Sequence, residues 1–206
     1  VQEAFDIADC YRNPVLVLAD GLTGQMMEPI EWHEIPHREL PPKDWATTGK
    51  HGRSHPNFVT SLFIDPNDCD EMNQRLARKY ALITEKEIRY EAKDCEDAEV
   101  VLVAYGTPAR VVLSAIEELR RQGVKAGLFR PITLWPFPEK QLHDLAGEDH
   151  VKVVVDVEMS LGQMIDDVRL AVEGQKPVKF AGVAGGLIPT VEDIVEAAKN
   201  ALKEAE

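Results

Sequence analysis

Strand-like and helix-like segments alternate from about Glu99 to the end of the chain, and this alternation limits the fold more than any other feature. The runs Val100–Ala104 and Val151–Val157 are apolar and rich in Val, as in strands buried on both faces. A helical pattern at Arg110–Gln122 lies between them and stops before Gly123. The pattern predicts an α/β domain with a mostly parallel sheet and helices on both faces. The other predicted elements are strands at 124–129 and 178–181 and helices at 138–146, 161–172 and 191–206.

Residues 1–31 contain too little regular structure to form a domain. Gln2–Cys10 has helical spacing of apolar residues, and Val15–Ala19 is a short apolar run that predicts a buried parallel strand. A single helix and a single strand cannot bury their apolar surface by themselves. We therefore expect residues 1–31 to be the edge of another domain.

Residues 32–96 are predicted to be a linker with one helix. Five prolines leave little room for regular structure before Asp68. Asn67 or Asp68 can then cap a helix that runs from about Cys69 to Arg89. The α/β domain is assigned to residues 97–206.

Composition excludes several classes of function. The net charge is −13, with 36 acidic and 23 basic residues. The sequence has no cluster of Lys and Arg of the kind that binds nucleic acid. No apolar run is long enough to cross a membrane. Cys10, Cys69 and Cys95 are isolated, which argues against disulfides and iron–sulfur ligation and predicts a reducing, cytoplasmic location.

Two short motifs resemble cofactor or metal sites, but their context does not support that role. Residues 33–37 have the letters HEIPH of a zinc-protease motif, yet Pro36 disfavours the helix that would put both His side chains on one face. Asp20-Gly21 resembles the start of a thiamine diphosphate motif, but no Asn follows at the required spacing. A turn at the end of a strand is the simpler interpretation. We assign no metal ligand and no catalytic residue.

The candidate site residues follow two of the predicted strands. Gly106 and Thr107 form either a close strand–helix turn or an anion site at a helix N-terminus. Glu158 and Gln163, with Gly162 between them, lie where a parallel strand ends, which is where α/β folds place ligands and interfaces. Glu158 could accept hydrogen bonds from the next helix, or it could contact a neighbouring subunit.

Four stretches together resemble one enzyme family. Residues 106–140 read GTPARVVLSAIEELRRQGVKAGLFRPITLWPFPEK, and residues 153–172 read VVVDVEMSLGQMIDDVRLAV, with Ser160 where many members have Asn. Residues 182–194 read GVAGGLIPTVEDI, and residues 18–32 read LADGLTGQMMEPIEW. They resemble the transketolase C-terminal-like domain, and the end of the preceding pyrimidine-binding domain, of 2-oxoacid:ferredoxin oxidoreductase α-subunits. The 2-oxoisovalerate (branched-chain) type is most similar, with the 2-oxoglutarate type next.

The resemblance implies oxidative decarboxylation of a 2-oxoacid on thiamine diphosphate, with electrons passing through iron–sulfur clusters to ferredoxin and the acyl group passing to coenzyme A. It implies that a β-subunit binds the diphosphate and magnesium and that the clusters lie on other chains, so no cofactor is expected on this chain alone. The implied partners are the β-subunit and the γ and δ subunits. A homodimer is an open alternative. The chain would position the active site and be inactive by itself.

Two alternatives stay open and one is disfavoured. The chain could be a stand-alone, non-catalytic interaction module on the same fold, or part of a 2-oxoglutarate-type enzyme. A complete thiamine enzyme disagrees with the missing cofactor motifs.

Overall fold

The computed structural model describes residues 1–32 and 38–205. The chain divides into two compact units, Val1–Leu18 with Met27–Ile83 and Ala19–Met26 with Thr84–Glu206. The HEIPH segment at 33–37 lies outside the described residues. None of the described helices is long and apolar enough to span a bilayer.

The helices are α1 (Gln2–Tyr11), α2 (Gly21–Gln25), α3 (Pro66–Glu87), α4 (Gly106–Arg121), α5 (Glu139–Ala146), α6 (Met164–Val172) and α7 (Val191–Ala205), and the strands are β1 (Tyr90–Lys93), β2 (Val100–Val103), β3 (Ala126–Pro131), β4 (Val153–Glu158) and β5 (Val178–Gly182).

The predicted strand at Val15–Ala19 does not form. Helix α1 ends at Tyr11, and Arg12 follows with a left-handed φ of 46°. Leu16, Val17 and Leu18 are then 81%, 62% and 68% exposed, and residues 13–20 pair with no strand in the described part of the chain. A strand exists only through hydrogen bonds to a neighbouring strand, so the apolar run stays extended and unpaired.

Side chains, rather than secondary structure, order the first unit between residues 38 and 65. The guanidinium of Arg53 donates to the carbonyl oxygens of Asp44 and Gly49 at 3.2 and 2.8 Å. The amide of Asn57 donates to the carbonyl of Ala46 at 3.0 Å. No helix or strand occurs between 38 and 65, as the prolines predict. Asp65, and not the predicted Asn67 or Asp68, accepts from the first turn of α3.

The second unit contains a sheet of five strands in the order β1-β3-β2-β4-β5. Strands β2 to β5 run parallel, whereas β1 is antiparallel to β3 at one edge. The predicted α/β class with a mostly parallel sheet is confirmed. Strand β1 lies inside the range 32–96 that the sequence assigns to a linker, and it was not predicted.

The two faces of the sheet support two apolar cores. Val100 and Leu102 of β2 point to a core shared with α4 and α7. Val101 and Val103 point to a second core shared with α5 and α6. This alternation follows from the two-residue period of a strand. Because both faces are covered, every residue of β2 and β4 is buried.

Local sequence explains the ends of the helices on the first face. Gly123, with φ of 83°, follows α4, and the N–H of Val124 donates back to the carbonyl of Leu119 at 2.9 Å. This is the Schellman arrangement, which favours Gly. Helix α7 begins with a reciprocal cap in which Thr190 and Asp193 each accept from the other's N–H, at 3.1 and 3.0 Å.

Candidate functional site

The order of the strands creates one switch point in the sheet. Strand β2 lies between β3 and β4. Helix α4 leaves β2 on the face that it shares with α7, whereas α6 leaves β4 on the face that it shares with α5. The connections therefore diverge at the carboxyl ends of β2 and β4, which is where open α/β sheets bind ligands and partners. All five predicted site residues lie at or after the carboxyl ends of these two strands: Gly106, Thr107, Glu158, Gly162 and Gln163.

The carboxylate of Glu158 caps helix α6 from the end of β4. It accepts from the N–H of Gln163 at 3.1 Å, from the N–H of Ile165 at 3.0 Å and from the Ser160 hydroxyl at 2.8 Å. Burial opposes ionisation, but the neighbouring Asp156 carboxyl, the Ser160 hydroxyl and the N–H groups of α6 outweigh it and lower the pKa of Glu158. Of the two roles open from sequence, the structure therefore displays the internal cap.

Ser160 extends this cap into the loop between β4 and α6. Its hydroxyl oxygen accepts from the N–H of Gly162 at 2.9 Å while it donates to Glu158. Gly162 has φ of +108°, a conformation that disfavours any residue with a side chain. The predicted residues Glu158, Gly162 and Gln163 are thus joined by one hydrogen-bonded loop.

Asp156 is a buried carboxyl group beside Glu158 that sequence reasoning missed. It is fully buried in β4, and neither side-chain oxygen has a hydrogen-bond partner in the described structure. Burial, together with the Glu158 carboxyl nearby, raises the pKa of Asp156 to about 9. Asp156 is therefore a neutral acid at pH 7, beside an ionised Glu158. An Asp within the apolar run VVVDV was the signal that could have revealed it.

Tyr105 lies near the same carboxyl groups at the end of β2. It packs against the core shared with α5 and α6 and is half-buried. Burial raises the pKa of its phenol, and the carboxyl groups of Glu158, Asp156 and Asp20 add to that effect. Because like charges disfavour ionisation, the phenol stays neutral and can donate a hydrogen bond at this edge.

The carboxylate of Asp20 lies at the N-terminus of α4. Its carboxylate accepts from the N–H of Thr23 at 2.7 Å, as the N-cap of α2, and from the N–H of Thr107 at 3.3 Å. These hydrogen bonds, the first from Thr23, lower the pKa of Asp20 to about 2. Gly106 has φ of +59°, and a Cβ there would lie 3.6 Å from Oδ2 of Asp20. The Gly106–Thr107 turn is thus a strand–helix turn closed by a carboxylate of the same chain.

We expect Asp20→Ala to release the N–H of Thr107 and to lower stability by about 1 kcal/mol, the usual effect of losing an N-cap. Amide hydrogen exchange at Thr107 measures the release directly. The isosteric Asp20→Asn keeps an acceptor and serves as the control. Because the pKa of Asp20 is lowered by folding, the wild-type advantage should be complete above about pH 4 and fade as pH falls towards 2. Unchanged exchange at Thr107 in the Ala variant would contradict this role.

Gly182 lets strand β5 approach the loop after β4. A Cβ at this position would lie 2.6 Å from the carbonyl oxygen of Ser160 and would also overlap the ring of Phe180. The N–H of Val183 donates to the carbonyl of Glu158 at 3.1 Å. The loops after β4 and β5 therefore form one packed surface beside the acidic pair.

These residues do not fit a magnesium–diphosphate site. Within residues 1–32 and 38–205, no group of three His, Cys, Asp or Glu side chains is arranged to hold a metal ion. Asp20 accepts hydrogen bonds on both oxygens from its own chain, and Glu158 does the same.

Comparison with known proteins agrees with this fold. Residues 98–194 match the family described as pyruvate:ferredoxin oxidoreductase core domain II. The chain is 43% identical over 193 residues to the ketoisovalerate oxidoreductase subunit VorB of Methanothermobacter marburgensis, covering 94% of this chain and 54% of that protein. It is 31% identical over 217 residues to the 2-oxoglutarate synthase subunit KorA of the same organism, covering 93% and 57%.

A solved structure shares the fold. The 2-oxoglutarate:ferredoxin oxidoreductase from Magnetococcus marinus, solved with 2-oxoglutarate, coenzyme A and succinyl-CoA bound, superposes with a TM-score of 0.71 over 96% of this chain and 39% of that one, at 19% identity. The chain spans about half the length of the curated relatives it matches. The predicted resemblance to 2-oxoacid:ferredoxin oxidoreductase subunits is confirmed.

Proposed function

Because residues 98–194 match the pyruvate:ferredoxin oxidoreductase core domain II family, we propose that this chain is part of a 2-oxoacid:ferredoxin oxidoreductase subunit. The enzyme would oxidatively decarboxylate a 2-oxoacid to an acyl-CoA and pass the electrons to ferredoxin. The similarity to a ketoisovalerate oxidoreductase subunit over nearly the whole chain carries this proposal and favours 2-oxoisovalerate as the substrate. A 2-oxoglutarate enzyme is the second candidate, supported by the lower identity to a 2-oxoglutarate synthase subunit.

We propose a structural and positioning role for this part of the subunit. Thiamine diphosphate and magnesium would be held mainly by a β-subunit, and iron–sulfur clusters by other chains. The loops at Gly106–Thr107 and at Glu158–Gln163 would shape a surface at the switch point that faces the rest of the enzyme. In each loop a carboxylate accepts a hydrogen bond from a backbone N–H, Asp20 from Thr107 and Glu158 from Gln163, and this supports a structural role. Three free cysteines support a cytoplasmic location.

The domain boundaries follow the same proposal. Residues 1–31 would be the edge of a pyrimidine-binding domain, and residues 32–96 would be a linker. The last part of this linker contains strand β1, which begins at Tyr90 and belongs to the sheet of the α/β unit. The exposed apolar run Leu16–Leu18 supports this assignment, because it has no partner strand in the described chain.

The test is an assay of the full-length protein co-purified with its partner subunits. We expect CoA-dependent reduction of viologen with 2-oxoisovalerate, and weaker or no reduction with 2-oxoglutarate, pyruvate and indolepyruvate. This chain alone should show no turnover with any of them. A preference for 2-oxoglutarate would select the second candidate. No turnover of any 2-oxoacid by the assembled complex would reject both and leave an interaction module.

A further inference from the structure

All four loops that follow the parallel strands lie at one edge of the sheet, the carboxyl edge. They are residues 104–105, 132–138, 159–163 and 183–190. None of them contains Asp, Glu, Lys, Arg or His, although charged residues make up 29% of the chain. Four separate stretches of sequence therefore contribute uncharged loops to the same edge.

The opposite, amino edge has the reverse character. Its loops are residues 94–99, 122–125, 147–152 and 173–177, and every one of them carries charge. The acidic residues include Asp94, Glu96, Asp97, Glu99, Glu148 and Asp149. Loops normally face water and are polar, so the amino edge is ordinary and the carboxyl edge needs an explanation.

Large apolar side chains are exposed on three of the carboxyl-edge loops. Trp135 after β3 is 58% exposed, Leu161 after β4 is 88% exposed, and Leu187 after β5 is 65% exposed. Isolated exposed apolar residues are common. Apolar residues on adjacent loops that lack any charge instead match the centre of a protein interface, where charged residues are depleted and aromatic residues enriched.

The same edge offers little to a phosphate-bearing ligand. Its loops have no Lys or Arg to neutralise phosphate. Four helices begin at this edge. Asp20 accepts from the start of α4 and Glu158 from the start of α6, Thr190 and Asp193 cap α7, and α5 begins with the acidic Glu139. An uncharged protein face fits better, because docking then removes apolar side chains from water without burying an unpaired charge.

We propose that the carboxyl-edge loops are the surface through which this domain docks on another subunit of the oxidoreductase, against an apolar and uncharged face of that subunit. The inference rests on the proposed function, because the relatives are subunits of such enzymes. A different chain is favoured over a second copy, since each copy carries a net charge of −13 and two copies would repel.

The test places a charge on the edge in the full-length subunit. Leu161→Asp and Leu187→Asp are each expected to weaken assembly with the partner subunits by at least about tenfold, as for residues at the centre of an interface. Leu170→Asp is the matched control, because Leu170 is 69% exposed on α6, outside the edge loops. Assembly is measured by mass photometry across a dilution series, and thermal unfolding of each isolated subunit checks that the variants fold.

Three outcomes would overturn the proposal. Both edge variants could assemble as tightly as the wild type, or Leu170→Asp could weaken assembly equally. The wild-type subunit alone could form a dimer that Leu161→Asp dissociates, which would assign the edge to a second copy. If instead only the proposed function is wrong, the wild-type complex assembles through this edge but oxidises no 2-oxoacid, so the two failures can be told apart.

Discussion

Replacing Asp156 with Asn is expected to stabilise the α/β unit at neutral and alkaline pH, by a few kcal/mol near pH 8. Folding must protonate Asp156, because burial and the neighbouring Glu158 carboxylate raise its pKa from 3.8 to about 9. An unfolded chain has lost that proton above about pH 4. The folded state therefore binds more protons than the unfolded state between about pH 4 and 9, and stability falls as pH rises through this window, by up to about 1.4 kcal/mol per pH unit from this group.

The expected signature is a difference between variant and wild type that grows with pH. Asn is neutral throughout, so the variant gains nothing at about pH 4 and gains most near pH 9. Urea unfolding of both proteins from pH 4 to 9 measures the difference. Asp166→Asn, on the exposed first turn of α6, controls for removal of a carboxylate and should change stability by less than about 0.5 kcal/mol. A gain of the same size at both ends of the pH range would show that Asp156 is not protonated on folding.

Replacing Glu158 with Ala should have the opposite effect and destabilise the unit by about 3 kcal/mol or more. The substitution leaves the N–H groups of Gln163 and Ile165 and the hydroxyl of Ser160 without their acceptor. Of these donors the N–H of Ile165 is buried, and leaving it unsatisfied costs about 1–3 kcal/mol. Loss of the N-cap costs about 0.5–2 kcal/mol more, and α6 also loses a negative charge at its N-terminus.

Glu158→Gln separates the charge of Glu158 from its shape. Gln keeps one acceptor oxygen, so we expect an intermediate loss of stability and partial protection of the Gln163 and Ile165 amides from hydrogen exchange. Those amides should exchange fastest in the Ala variant. If the Ala variant retained wild-type protection at both amides, the carboxylate would not be what holds the loop.

The effects of the Asp156 and Glu158 substitutions on stability should be coupled. Glu158 contributes to the raised pKa of Asp156, so its removal makes Asp156 easier to ionise. We expect the double variant Asp156→Asn/Glu158→Gln to deviate from the sum of the single variants, as residues in contact usually do.

Sequence reasoning succeeded where local pattern and tertiary environment agree. The strand predicted at Val151–Val157 forms at Val153–Glu158, and the helix predicted at Arg110–Gln122 forms at Gly106–Arg121, because the burial of their residues agrees with their sequence pattern. The five candidate residues were correctly placed at carboxyl ends of strands, since chain order alone determines that position in a parallel sheet.

The failures have a common physical cause, which is pairing between distant segments. Strand β1, with sequence YEAK, is exposed along its whole length, and its alternation of Tyr90 and Ala92 with charged residues is too short to predict a strand. It is a strand only because it pairs with β3, which lies far along the chain. The run Val15–Ala19 is the reverse case, since it has strong strand character and no partner in the described chain.

The candidate site shows the same limit. Asp20 was interpreted as a turn residue, and its hydrogen bond to the N–H of Thr107 joins positions that no local pattern connects. The raised pKa of Asp156 comes first from burial by the elements packed around β4, and the sequence of the strand does not contain this information.

Because none of the four carboxyl-edge loops contains a charged residue, docking through them should depend little on ionic strength. Salt screens interactions between charged groups, with a Debye length of about 10 Å at 0.1 M, but it does not weaken the removal of apolar side chains such as Leu161 and Leu187 from water. The proposed assembly should therefore survive added salt, whereas urea, which solvates apolar groups, should dissociate it.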